Sequence, residues 1–139
     1  MTRHRDERGA VTVWLAGASV LMVSVIGITV DLGGQLHAKE RAHTIAAQAA
    51  RTGAEQITAD AMLGTKPKLD VGRARSAAYT YLRVAGVDGT VSVSSGVRVT
   101  VTVVDTYQPL FLGSIGVGTL TVSASSTAEF KRALDGSER

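Results

Sequence analysis

Residues 10–30 read AVTVWLAGASVLMVSVIGITV, twenty-one consecutive positions without a charged side chain. As an α-helix rising about 1.5 Å per residue, the run reaches roughly 30 Å, the thickness of a bilayer's hydrocarbon core. Arg8 precedes it and Asp31 follows it. Three readings compete for such a run. As the core helix of a soluble domain it is apolar on every face, and the rest of a 139-residue chain can hardly surround it. As a cleaved secretory signal it has a charged start in Arg3, Arg5 and Arg8, but the apolar run is long and no small-x-small cleavage site lies near Asp31. A retained membrane helix satisfies the length rule, and that is the reading adopted.

Charge on either side of the run sets an orientation. Three Arg lie in the nine residues before it, whereas the next basic residues after it are Lys39 and Arg41. This bias makes residues 1–9 a cytoplasmic basic N-terminus and puts residues 31–130 outside, in a single-pass cell-membrane protein. Trp14, a few positions into the span, is placed as an interfacial anchor on the inner side, and Val30 closes the span.

Beyond the membrane, Gln35 to about Leu63 reads as helix, rich in Ala, Gln, Glu and Arg and free of Pro. Ala38, Ala42, Ala46, Ala50 and Ala54 recur every four residues, and Ala47, Ala49 and Gly53 widen the strip. Such a ridge of small side chains lets another backbone come close, or else it belongs to an Ala-rich surface helix. Gly33 and Gly34 either kink one continuous helix or separate two. Gly64 to Leu69 reads as a loop, Asp70 as the N-cap of a helix over Val71–Ala85, and Gly86 as its stop.

The remainder reads as strand. Val91 and Val93 alternate with Ser92 and Ser94, and Ser95-Gly96 is a hairpin signal. Val97, Val99, Val101 and Val103 alternate with Arg98, Thr100 and Thr102. A third run sets Leu120, Val122, Ala124, Ala128 and Phe130 against Thr121, Ser123, Ser125, Thr127 and Glu129. Period-two alternation of this kind implies a sheet with one buried and one wet face, and the helices are its only cover. The expected fold is therefore α+β: a transmembrane helix continuing into a long Ala-rich helix, a second helix, and a three-stranded antiparallel sheet. Between the last two strands, Tyr107 to Ile115 carries more apolar residues than a turn needs. Leu110, Phe111 and Leu112 either plug the end of the core or form a contact loop. Residues 131–139 read as a flexible polar tail.

Composition narrows the function. The chain has no Cys, which removes disulfide frameworks and thiolate zinc sites. With 45% hydrophobic residues and a net charge of only +3, it is not a disordered chain. Basic residues are spread thinly and aromatics make up 4%, so neither a phosphate-tracking footprint nor a base-stacking platform exists, and no nucleic-acid partner is expected. His37, Glu40 and His43 lie three apart, where a zinc-binding helix favours two His four apart; they read as a solvated polar face. No G-x-S-x-G elbow occurs, and the glycines Gly113, Gly116 and Gly118 precede a strand rather than opening a nucleotide-binding helix. Carboxylates are scattered singly. No enzyme activity, cofactor, metal or small-molecule substrate is expected.

The run Arg8-Gly9-Ala10-Val11-Thr12-Val13, the apolar span, Val30-Asp31-Leu32-Gly33-Gly34-Gln35 and the Ala-rich stretch from Arg41 to Ala54 together resemble TadE/TadG-like proteins of Flp (tight-adherence) pilus assembly, in their short actinobacterial form. The resemblance covers about residues 7–57. It implies a minor pilin- or pseudopilin-like subunit of a pilus or type IV-related secretion machine, partnered by the lipid bilayer and by other assembly subunits through helix packing. It also implies a processing site between Gly9 and Ala10. Pseudopilins carry a Glu at the fifth mature position, where this chain has Trp14; that departure points to the TadG-like branch, a membrane-anchored assembly component. The alternative function is a membrane-tethered extracytoplasmic binding module that captures a ligand with its sheet or with the Tyr107–Ile115 loop that holds Leu110, Phe111 and Leu112.

Overall fold

In the computed structural model, which describes residues 7–56, 69–95 and 98–129, the apolar run and the Ala-rich stretch form one uninterrupted helix, α1 (Glu7–Ala54). Its 48 residues give a rod of about 70 Å, more than twice a hydrocarbon core. Gly33 and Gly34 neither break nor divide it. Among the described residues α1 is the helix long and apolar enough to cross a membrane. Within the run, Ser19, Ser24 and Thr29 turn their hydroxyls back to the carbonyls of Leu15, Val20 and Val25 at 2.8–2.9 Å. That local pairing lets a hydroxyl sit on a lipid-facing surface without an unsatisfied donor.

The two halves of α1 have opposite surroundings. Val13, Trp14, Leu21, Met22 and Val25 stand exposed, whereas Ala42, Ala46, Ala49 and Ala50 are fully buried. The chain leaves the helix at Glu55, earlier than the expected end near Leu63; residues 57–63 lie outside the described residues, as do the loop positions 64–68. The Gln56 carbonyl accepts the Asp70 amide at 2.9 Å, which ties the end of α1 to the start of α2 (Val71–Ala85). Asp70 caps α2 as its side chain foretells, accepting the Arg73 amide at 3.0 Å. Gly86, at φ 69°, ends it in the left-handed conformation that a residue without Cβ adopts freely.

Strands β1 (Asp88–Ser94), β2 (Arg98–Tyr107) and β3 (Leu120–Glu129) form an antiparallel meander in the order β1-β2-β3. The fold is thus the expected α+β arrangement. Val99, Val101 and Val103 of the central strand are completely buried beneath α1 and α2. The opposite face carries a ladder of directly paired polar residues: Thr100 with Thr127 at 2.9 Å, Thr102 with Ser125 at 3.1 Å, and Arg98 with Glu129 at 2.8 Å. Cross-strand pairs of this type hold register on a wet face. Gly96, Val97, Phe130 and the tail at 131–139 lie outside the described residues.

The Ala ridge explains how so small a core closes. A Cβ added at Gly53 would lie 3.0 Å from the Ala74 carbonyl oxygen and 3.1 Å from a Val99 methyl, so α1 meets the α2 backbone and the Val99 side chain of the sheet at close range. Within the chain, the close approach that the ridge permits is made by α2 and β2.

Candidate functional site

The site grows out of one face of α1 where the apolar run ends. Gly27, Asp31 and Gly34 recur at spacings of four and three, which places them on one side of the helix. Opposite them lies the connection between β2 and β3, where the sequence reading expected no helix. It contains a single helical turn, α3 (Phe111–Ser114). The Phe111 ring lies where a Cβ at Gly27 would sit, and the Tyr107 ring and hydroxyl occupy the corresponding place at Gly34. The two glycines are sockets for two aromatic side chains.

Between them, the Asp31 carboxylate is the centre of the arrangement. It accepts the amides of Leu110 at 2.7 Å and Phe111 at 3.3 Å on one oxygen, and the Leu112 amide at 2.7 Å on the other. The Tyr107 hydroxyl donates to it at 3.3 Å. Asp31 is only 2% exposed, the one buried charged residue among the described residues. An isolated carboxylate buried at such a place is costly, and four donors offset that cost. They also account for α3: three consecutive amides that a four-residue helix leaves unpaired are satisfied by a carboxylate from another element.

The electrostatics follow from this geometry. Burial pushes the Asp31 carboxyl up, but the amides of Leu112, Leu110 and Phe111 and the Tyr107 hydroxyl pull harder, leaving it below its ordinary 3.8. Burial and the neighbouring Asp31 charge push the Tyr107 phenol above its ordinary 10.0. At neutral pH, therefore, the carboxylate is ionised and the phenol keeps the proton it donates. The arrangement is a clasp: it fixes the β2–β3 connection to the helix through three backbone amides and one phenol.

The sequence-derived site residues fall into distinct places. Gly9, Ala10, Trp14 and Val30 lie exposed on the uncovered half of α1. Ala42, Ala46, Ala50 and Ala54 are buried in the domain core, and Ala38 is half-buried at its edge. The three side chains of the Leu110–Leu112 loop have different surroundings. Phe111 packs onto Gly27 as a plug, Leu112 is half-buried, and Leu110 points out. His37 and Glu40 stand 3.9 Å apart on an exposed face. Among the described residues no three His, Cys, Asp or Glu side chains come together to hold a metal.

Sequence reasoning used Asp31 as the end of the apolar run and as part of the Val30–Gln35 motif, and missed its role. The signal was present in part: a carboxylate flanked at spacings of four and three by glycines, on a helix that otherwise shows no reason for them. Its partners lie 76–81 residues away, where no local pattern reaches.

No curated protein and no solved structure matches the chain. The segment that carries the apolar run, Asp31 and the Ala ridge, residues 9–60, does match a family, the one described as "Putative Flp pilus-assembly TadE/G-like", and over that segment the chain is similar to pilus-assembly proteins of this kind.

Proposed function

We propose that this chain is a membrane-anchored, non-catalytic structural or accessory subunit, minor pilin- or pseudopilin-like, of a Flp/Tad-type pilus or a type IV-related secretion apparatus. The observation that carries this reading is the pilus-assembly match over residues 9–60, which runs through the whole apolar run and into the helix that builds the domain core. Residues 10–30 cross the membrane, residues 1–9 stay in the cytoplasm, and residues 31–130 form the domain outside. The Arg bias before the run supports that orientation. Because the Ala ridge is covered by the chain's own elements, contact with other subunits falls to the uncovered half of α1. There, association in lipid rests on van der Waals packing rather than on apolar burial. With Trp14 at the fifth position after Gly9, the chain acts uncut, as an anchored assembly component.

The test is crosslinking in cells that assemble the pilus, from a photoreactive side chain placed at Leu21 on the uncovered helix. The expected products contain other pilus-assembly subunits. A chain that stays monomeric and uncrosslinked there counts decisively against the reading. The alternative, a tethered binding module, has less surface available than the sequence offered, since Phe111 is seated on Gly27 and the Leu110–Leu112 amides are taken by Asp31.

A further inference from the structure

We propose that the β2–β3 connection, led by Leu110, Ile115 and Val117, is a second membrane-contacting element that seats in the lipid boundary beside the helix; the inference rests on residues 10–30 spanning the bilayer. The depth of the connection is set by its dock. The Phe111 ring packs against Gly27, three residues inside the end of the apolar run and so about 4.5 Å below the level of Val30, while the Leu110–Leu112 amides are held by Asp31 just beyond that end. A connection held there meets lipid if the helix does.

Three independent features suit it to that place. Its outward side chains include three large apolar ones, with Leu110 75% and Ile115 68% exposed and Val117 also uncovered, beside the uncharged Gln108, Ser114 and Thr119. No Asp, Glu, Lys or Arg occurs from Thr106 to Ala128, so nothing charged needs to stay in water. Its backbone is also unusually self-sufficient. The amides of Leu110, Phe111 and Leu112 are taken by Asp31, and those of Ile115, Gly116 and Val117 by carbonyls of Leu112 and Gly113 at 2.9–3.2 Å. Irregular backbone at membrane depth needs that internal satisfaction, which an ordinary solvent loop can leave to water. The same arrangement shields the Asp31 carboxylate, the one charge that would otherwise face the acyl chains. The occupant is the acyl–headgroup boundary of the leaflet into which α1 emerges, in the manner of an interfacial apolar surface.

The chain contains no Cys, so single thiols can be introduced for spin labelling. The full chain is reconstituted in phosphatidylcholine vesicles containing phosphatidylglycerol, as Leu110→Cys, Ile115→Cys, Leu21→Cys and Ser92→Cys. The first two replace exposed side chains, Leu21 reports the span, and Ser92 reports the wet sheet. Accessibility to oxygen relative to a water-soluble nickel chelate should be several-fold higher at positions 110 and 115 than at 92, approaching that at 21. If 110 and 115 match 92 while 21 remains lipid-like, the membrane span stands and this proposal is overturned. If 21 is itself water-exposed, both fail. Spin–spin broadening at 110 or 115 that disappears on dilution with unlabelled chain would show that a second copy covers the patch instead, which also overturns it.

Discussion

The Asp31 carboxylate and the Leu112 amide meet at 2.7 Å across 81 residues of chain, joining the end of the membrane-length run to the β2–β3 connection. The contact has a mechanical consequence. α1 is already part of the domain core through its Ala ridge, and the clasp adds a second attachment about five turns away. Two attachments on one rigid helix fix the domain's tilt against the apolar run, where a single attachment would let the connection swing.

Removing the clasp should free the connection without unfolding the core. In Asp31→Ala the Leu110, Phe111 and Leu112 amides lose their acceptor. In Asp31→Asn one oxygen remains but an amide group now faces donors. Amide exchange at 110–112 should accelerate strongly in both variants, while exchange in β2 at Val99–Val103 stays slow. Uniform acceleration across the sheet would mean that the carboxylate holds the whole domain together.

The clasp should also have a pH window. Asp31 lies below its ordinary 3.8 in the folded chain, so its contribution is full above that value and is lost as pH falls through the lower, folded value. Tyr107 lies above its ordinary 10.0, so its contribution is full below that value and fades as pH rises through the folded one. Protection of the 110–112 amides, corrected for intrinsic exchange, should therefore be flat between about pH 4 and 10 and fall outside it. In Asp31→Asn the acid limb should vanish.

Filling a socket should displace its aromatic ring. Gly27→Leu drives side-chain atoms into Phe111, and Gly34→Leu does the same to Tyr107. Overpacking of this kind costs about 1–3 kcal/mol. Thermal unfolding in detergent should register it at both positions, whereas Gly17→Leu, with open space at its Cβ, should be neutral.

The ridge should tolerate no bulk. Ala46 is fully buried where α1 approaches the core, and Ala46→Leu inserts three carbons into it. A loss of about 2 kcal/mol, or roughly 10 °C in Tm for a domain of this size, is expected. Ala16→Leu, on the uncovered half, should leave Tm unchanged.

Processing tests the anchored role itself. The intact mass of chain recovered from cells should correspond to an uncut N-terminus and be confined to membranes. A species beginning at Ala10 in material sheared from the surface would instead mark a processed pilin, despite Trp14.

Much of this architecture was legible because it is periodic or locally capped. The apolar run, the Asp70 cap, the Gly86 stop and the alternating valines of β2 each follow from side chains a few positions apart. The ridge was legible as a face, but spacing along one helix does not say which element covers it, and here α2 and β2 do. Gly33 and Gly34 stayed ambiguous because a helical Gly is read as weakness, whereas Gly34 serves the Tyr107 ring. Least legible was α3. One turn is too short to show a period, and it owes its form to a carboxylate supplied from α1.

The most direct test of a membrane-anchored subunit with its domain outside is thiol labelling in intact cells with a membrane-impermeant reagent, using the Cys-free chain as the background. Ser92→Cys, on the wet sheet, should react in intact cells once the outer surface is accessible, and Thr2→Cys only after the membrane is opened. Recovery of the protein in the soluble fraction, or a Ser92→Cys thiol that reacts only after the membrane is opened, would contradict the account.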